Sequence, residues 1–184
     1  AYLPEKTYKG KRTTNQHIGY FFNLIKEKQV FENYNNYKLH MLHVDELEAD
    51  DLIAISIQHI IKDFEQIYIL SQDMDFTQLL HKDINLYNMR FKNAITDRNS
   101  TKHPEKDLFI KCVTGDKSDN IPGLFKKCGK KTAEKYFEDR EAFNTKLTNE
   151  NKEDQYKLNR LLIDFTNIPE HLKNTCIETY THLF

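Results

Sequence analysis

Seven acidic side chains in three short clusters carry most of the chemistry in this sequence: Glu48, Asp50 and Asp51; Asp73 and Asp75; and Asp116 and Asp119. Gathered within a few Å they could not all stay ionised unaided, because like charges raise one another's pKa. Divalent cations would resolve the conflict, and a ligand set of hard oxygens favours Mg²⁺ or Mn²⁺ over Zn²⁺. Two such ions about 4 Å apart are a known means of in-line attack on a phosphodiester. Each cluster also has an ordinary structural reading. Acids in a first helical turn meet the positive end of the macrodipole, an Asp after a strand makes a turn, and G-D-K-S-D-N suits an Asx turn followed by an N-cap. The case for a site rests on all three together, each at an element end that can face one edge of a sheet. The eight histidines show no H-x-x-x-H spacing and read as surface or half-buried residues rather than ligands.

Two basic segments complement the acids. G-L-F-K-K-C-G-K-K-T places Gly123 and Gly129 in a loop before a helix whose first turn holds Lys130, Lys131 and Thr132, with Lys126 and Lys127 just upstream. Free N–H groups and the dipole behind them make an anion site there, although a solvated lysine face gives the same pattern. Near the start, Tyr8, Lys9, Lys11 and Arg12 interleave an aromatic ring with cations, suited to phosphates or a stacked base; a solvated tail would read alike.

These groups need elements to position them. Ile18, Phe21, Phe22 and Ile25 recur at helical spacing within residues 16–30, and an Asn-rich loop follows. Residues 39–44 alternate like a strand and lead into D-E-L-E-A-D-D, after which L-I-A-I-S-I-Q-H-I-I-K-D-F is an apolar helix. Residues 66–70 form a short buried strand, D-F-T-Q-L-L-H a short helix, and I-N-L-Y-N-M-R-F with N-A-I-T-D two strands joined by a turn. This alternation predicts an α/β fold, a mostly parallel sheet with helices on both faces. From Pro104 the pattern is helical: P-E-K-D-L-F-I-K-C-V, K-K-T-A-E-K-Y-F, D-Q-Y-K-L-N-R-L-L-I-D-F and P-E-H-L-K-N-T-C-I-E-T-Y-T-H-L, with a soft boundary near residue 103.

At 184 residues the chain can bury a real core. Twelve Phe and ten Tyr argue against disorder. A mean hydropathy of -0.74, with no apolar run near the roughly 20 residues of a spanning helix, gives no membrane segment. Three widely spaced cysteines suggest neither a disulfide framework nor a zinc ribbon, so a reducing, cytoplasmic setting is expected. Net charge is -1 and names no partner by itself; what matters is that acids crowd residues 45–51 while bases crowd 6–12 and 126–135.

In this order the segments resemble the metal-dependent 5′-nuclease (flap endonuclease) superfamily, most closely its bacteriophage ribonuclease H and 5′-exonuclease members. V-D-E-L-E-A-D-D-L-I-A is similar to the family's acidic helix start and I-L-S-Q-D-M-D-F-T-Q-L-L to its strand and Asp-x-Asp element. G-D-K-S-D-N-I-P-G with G-K-K-T-A-E-K-Y-F resembles its helix-three-turn-helix, placed at 115–137. L-P-E-K-T-Y-K-G-K-R resembles the Tyr-Lys-Gly-x-Arg segment at the foot of the helical arch, near 5–30, and Q-Y-K-L-N-R-L-L-I-D-F-T-N-I-P-E the phage ribonuclease H tail.

The resemblance implies two Mg²⁺ (or Mn²⁺) ions. Glu48, Asp50, Asp51 and Asp73 would serve the first, Asp75, Asp116 and Asp119 the second. Lys9 and Arg12 would contact the scissile phosphate. Tyr8, Lys11, Gly123, Lys126, Lys127, Gly129, Lys130, Lys131 and Thr132 would bind DNA, with a monovalent cation at the helix-three-turn-helix. Residues 1–103 would be an α/β nuclease core and 104–184 a helical DNA-binding region. The expected activity is hydrolysis of DNA or RNA–DNA 5′ ends and flaps, as in phage primer removal. Relatives open with a strand ending in Asp and carry another Asp before Tyr-Lys-Gly-x-Arg; upstream of Tyr8 neither aligns, and Glu5 is no substitute. The expectation is therefore an N-terminal part supplied by another polypeptide or lost by truncation. A non-catalytic DNA-binding remnant is the alternative reading.

Overall fold

Ile67–Leu70 (β1) and Ile84–Tyr87 (β2) are, apart from Asn85, runs of β-branched, aliphatic and aromatic residues suited to a pleated surface. They pair in parallel, Ile67 opposite Ile84 and Leu70 opposite Tyr87. The computed structural model describes residues 20, 23, 24, 40–96 and 98–183, and these two strands form the sheet among them. The link between the strands is a short 3₁₀ helix, Met74–Leu79, rather than an α-helix, and it buries Phe76, Thr77 and Leu79.

Ahead of the sheet stands α1, Ala49–Ile60. A capping box starts it: the Glu48 side chain accepts from the backbone of Asp51, and Asp51 accepts from the Glu48 N–H at 3.1 Å. Ala54 and Ile57 pack with Ile69, Phe76, Leu79, Leu86 and Phe165, while Leu52 and Ile55 pack with Val44 and Cys176. The helix is thereby held between the sheet and the end of the chain. Such a two-sided apolar helix is the reason its acidic N-terminus has a fixed place.

A second, aromatic core lies in the helical half. It is built on α2 (Pro104–Thr114), α3 (Lys130–Glu138), α4 (Arg140–Asn149) and α5 (Glu153–Ile163). Phe109, Phe125 and Phe143 are buried at its centre; the Phe109 and Phe143 rings meet edge to face at 4.9 Å, and Phe143 and Tyr156 at 5.2 Å. Pro104 stands in the first turn of α2, where its missing N–H is harmless. After α5 the chain crosses back: Phe165 enters the sheet core, and α6 (Glu170–Leu183) packs Cys176 against α1.

Several sequence expectations need correction. Residues 40–44 form no strand; Leu42 and Val44 turn inward, but no described strand pairs with them. Of N-A-I-T-D, the described residues 93–96 form no strand either, only an isolated bridge between Asn93 and Tyr87, because the Asn93 side chain accepts from the Ile95 N–H at 2.8 Å and turns the chain. Helix α4 was not marked by periodicity. It depends on Asp139, which ends α3 and caps α4 by accepting from the Ala142 N–H at 2.9 Å. Of the helix expected over 16–30, residues 20, 23 and 24 are helical, and the rest lies outside the described residues.

Candidate metal centre and nucleic-acid interface

The carboxyl end of β1 delivers the first acids. Ser71 donates its N–H to Tyr87 O at 2.8 Å, tying the strand end to β2, and its hydroxyl accepts from the Asp73 N–H at 3.0 Å. Asp73 then caps the 3₁₀ helix by accepting from the Asp75 N–H at 2.9 Å. The N-terminus of α1 brings up Asp50. One carboxylate oxygen from each of Asp50, Asp73 and Asp75 lies within 4.8 Å of the others. Twice a Mg–O or Ca–O bond is about 4.1–5 Å, so one hard cation could be shared by the three without rearrangement.

Asp116 and Asp119 enter from the loop after α2. That loop is closed by reciprocal backbone bonds between Asp116 and Ile121, 2.9 and 2.7 Å. At its base Gly115 has φ +74° and ψ −178°, a conformation that is essentially glycine's alone, and a Cβ there would meet Gly123 N and Ile121 O at 2.5 Å. Asp116 accepts from the Ser118 N–H at 2.7 Å and from the Ser118 hydroxyl. Lys111, in the last turn of α2, places its ammonium between the groups: it pairs with Asp75 and, at 2.8 Å, with Asp116. Burial alone would raise the Asp116 pKa, but Lys111 and Ser118 outweigh it and hold the carboxyl at about 2.

Glu48, Asp50, Asp73, Asp75, Asp116 and Asp119 line one cleft; Asp51 joins five of these acids and Lys111 around an adjoining one. All seven sequence-derived acids therefore face one region, with Asp75 between the cation-sized trio and the Asp116–Asp119 loop. Neither Lys111 nor Ser118 was singled out in the sequence. A lysine in the last helical turn before an Asp-bearing loop was the signal available for the first; an ordinary Asx-turn partner gave none for the second.

The candidate phosphate-binding segment begins α3. Gly129 is the N-cap, exposed, with open space on its Cβ side and no side-chain cap; the Thr132 N–H is turned back to Gly129 O at 3.0 Å. Lys126, Lys127, Lys131 and Thr132 are exposed, and half-buried Lys130 donates to Arg98 O at 3.2 Å. Gly123 sits at the loop base, its backbone against Thr114. Tyr8, Lys9, Lys11 and Arg12 lie outside the described residues. No helix among the described residues is long and apolar enough to cross a membrane.

Known proteins resemble this chain in sequence and fold. The phage T4 protein named ribonuclease H is 29% identical over 177 residues, covering 88% of this chain and 57% of its own length. A 5′-3′ exonuclease of Mycoplasmopsis pulmonis is 38% identical over 82 residues, 42% of this chain and 27% of that protein. The chain thus spans little more than half the length of the first of these and less of the second. Among solved structures, the T5 D15 protein crystallised with metal ions superposes with a TM-score of 0.75 at 16% identity, over 97% of this chain and 78% of that one. The T5 D15 flap endonuclease in a pseudo-enzyme–product complex with DNA and metal ions gives 0.73 at 15% identity, over 97% and 77%. Residues 5–117, which carry all seven acids except Asp119, match the family described as 5′-3′ exonuclease, N-terminal resolvase-like domain, and this chain belongs to that family.

Proposed function

We propose that the chain is, or is the larger part of, a structure-specific 5′-nuclease that hydrolyses phosphodiesters at 5′ ends and flaps of DNA or RNA–DNA. The observation that carries this reading is the shared cation-sized spacing of Asp50, Asp73 and Asp75 beside the Asp116–Asp119 loop. The donor set fits hard divalent cations, since every group in the trio is a carboxylate. Glu48, Asp50, Asp51 and Asp73 would hold one Mg²⁺ or Mn²⁺ and Asp75, Asp116 and Asp119 a second, and such ions supply Lewis-acid stabilisation of an in-line displacement. The chain's own part is to fix the acids on a strand end, a helix N-terminus and a closed loop. Lys111 keeps Asp75 and Asp116 together and puts a positive charge at the cleft where phosphate charge would develop. Lys9 and Arg12 would add cations at the scissile phosphate.

Residues 115–137 would act as a helix-three-turn-helix, gripping the duplex through the α3 N-terminus and its lysines and holding a monovalent cation at its turn. Contacts of that kind give affinity without sequence readout. Residues 1–103 would then form the nuclease core and 104–184 the grip, in a role such as primer removal during phage replication. Asp73→Asn tests the reading. Mg²⁺-dependent cleavage of a 5′-flap duplex should fall by about a thousandfold while binding in Ca²⁺ changes by less than about threefold. A chain that binds the flap but never cleaves it, in any divalent cation, would instead be the DNA-binding remnant.

A further inference from the structure

Asn159, in the middle of α5, is fully buried, and the reaction described above makes no use of it. Its amide is spent on specific partners. Nδ2 donates to Cys112 O at 2.9 Å and to Pro122 O at 2.8 Å, while Oδ1 accepts from Gln155 Nε2 at 2.7 Å. A buried amide so satisfied is held in one orientation.

Both carbonyls belong to the Asp116–Asp119 loop or to its root. Cys112 O stands in the last turn of α2, where the N–H four residues on would normally donate to it. That N–H belongs to Asp116 and is turned away to Ile121 O, at 2.9 Å. The distortion that starts the acidic loop thus orphans Cys112 O, and Asn159 takes the place of the missing donor. Pro122 O is on the far limb, three residues beyond Asp119 and next to Gly123. One side chain therefore ties the beginning of the loop to its end. Beside it Ile121 packs with Cys112 and Ile163, an apolar contact without directional preference.

We propose that Asn159 is a positioning residue for the Asp116 and Asp119 carboxylates. By clamping both limbs of the loop to α5 it fixes the distance between these acids and Asp75. This rests on the reading of the cleft as a two-cation site. It predicts an asymmetry: loss of Asn159 should weaken the cation that depends on Asp116 and spare the one that depends on Asp73, which is held by β1 and α1.

Mn²⁺ titration of the whole chain, followed by electron paramagnetic resonance, tests it. Asp116→Asn and Asp73→Asn assign the two classes of bound ion. In Asn159→Leu the Asp116-dependent class should weaken by about 10–100-fold, the usual size of an outer-sphere loss, and the Asp73-dependent class by less than about threefold. Added to Asp116→Asn, the leucine substitution should change Mn²⁺ binding no further. Should Asn159→Leu fail to fold, Asn159→Ser, which keeps one donor, should show a smaller loss confined to the same class. Equal losses in both classes, or none in a folded variant, would overturn the positioning role alone. Absence of any Asp116-dependent Mn²⁺ in the unsubstituted chain would overturn the two-cation reading and this role with it.

Discussion

The turn after β1 and the loop after α2 each bring two carboxylates to the cleft, yet they differ in how much they draw on residues outside themselves. Ser71, Asp73 and Asp75 stabilise their turn among themselves, through bonds spanning two residues. The loop from Gly115 to Gly123 has local closures too, the Asp116–Ile121 backbone pair and the Ser118 donors to Asp116. It adds groups from outside: the Asn159 amide from α5, and Lys111 of α2, which reaches Asp116 and Asp75 together. A local turn keeps its shape whatever packs around it. A loop that also draws on contacts from a packed helix keeps its full shape only as long as that helix stays docked, which makes the second acidic pair the more sensitive of the two to packing.

The largest test of that difference is Gly115→Ala. The new Cβ would stand 2.5 Å from two backbone atoms at a residue with φ +74°, and strain plus overpacking should cost roughly 3–5 kcal/mol of stability. Chemical denaturation should show a lower midpoint at unchanged slope. Gly129→Ala, where a Cβ meets nothing within 4 Å, should change stability by less than about 0.5 kcal/mol. Equal effects of the two substitutions would mean that the Gly115 loop is far more pliant than its packing implies.

The same contrast explains what the sequence disclosed. The acidic start of α1, the β1 strand and the D-M-D turn were legible because their causes are local: a capping box, an apolar run, an N-cap. Residues 39–44 misled because alternation records which side chains face inward, not whether a partner strand exists, and Leu42 and Val44 do turn inward from irregular backbone. Helix α4 escaped because only Phe143 and Leu147 of its residues are buried, leaving little periodic signal. Lys111 could be singled out only as a lysine in the last helical turn before an Asp-bearing loop, and Asn159 not at all. Their roles come from residues 36 and 47 positions away, a separation that no spacing pattern encodes. The convergence of the acids was inferable from their order along the chain; the clamp on the second pair required the packed helices.

A middle-sized effect separates the two acidic elements by charge. Lys111→Met removes the ammonium shared by Asp75 and Asp116, whose side chains are each 15% exposed. In EDTA the variant should be less stable by roughly 1–3 kcal/mol, the penalty for leaving half-buried charges without their partner. Mn²⁺ should close most of that gap, because a bound cation replaces the lost positive charge and binds only the folded chain. A difference in melting temperature that Mn²⁺ leaves unchanged would show that Lys111 acts by packing its stem rather than by its charge.

The smallest effect is a matter of pH. Asp116 has a folded pKa of about 2 against an ordinary 3.8. Its ionisation therefore contributes stability that is complete above 3.8 and is lost as the pH falls through the interval down to 2. Ser118→Ala removes the hydroxyl donor but leaves the backbone N–H at 2.7 Å and the Lys111 ion pair in place. The folded pKa should rise part of the way back, so the interval narrows from below. In metal-free solution at pH 7 the variant should be less stable by about 0.5–1 kcal/mol, the worth of one hydrogen bond to a charged group that keeps its other partners. Below pH 2, where Asp116 is protonated in both proteins, the difference should vanish. Ser71→Ala, made on the other acidic turn, removes the hydroxyl that accepts from the Asp73 N–H and touches no carboxylate. Its cost should therefore stay constant across that same pH interval. Parallel pH profiles for the two alanine variants would mean that the Ser118 hydroxyl stabilises the loop as a turn, and not through the charge of Asp116.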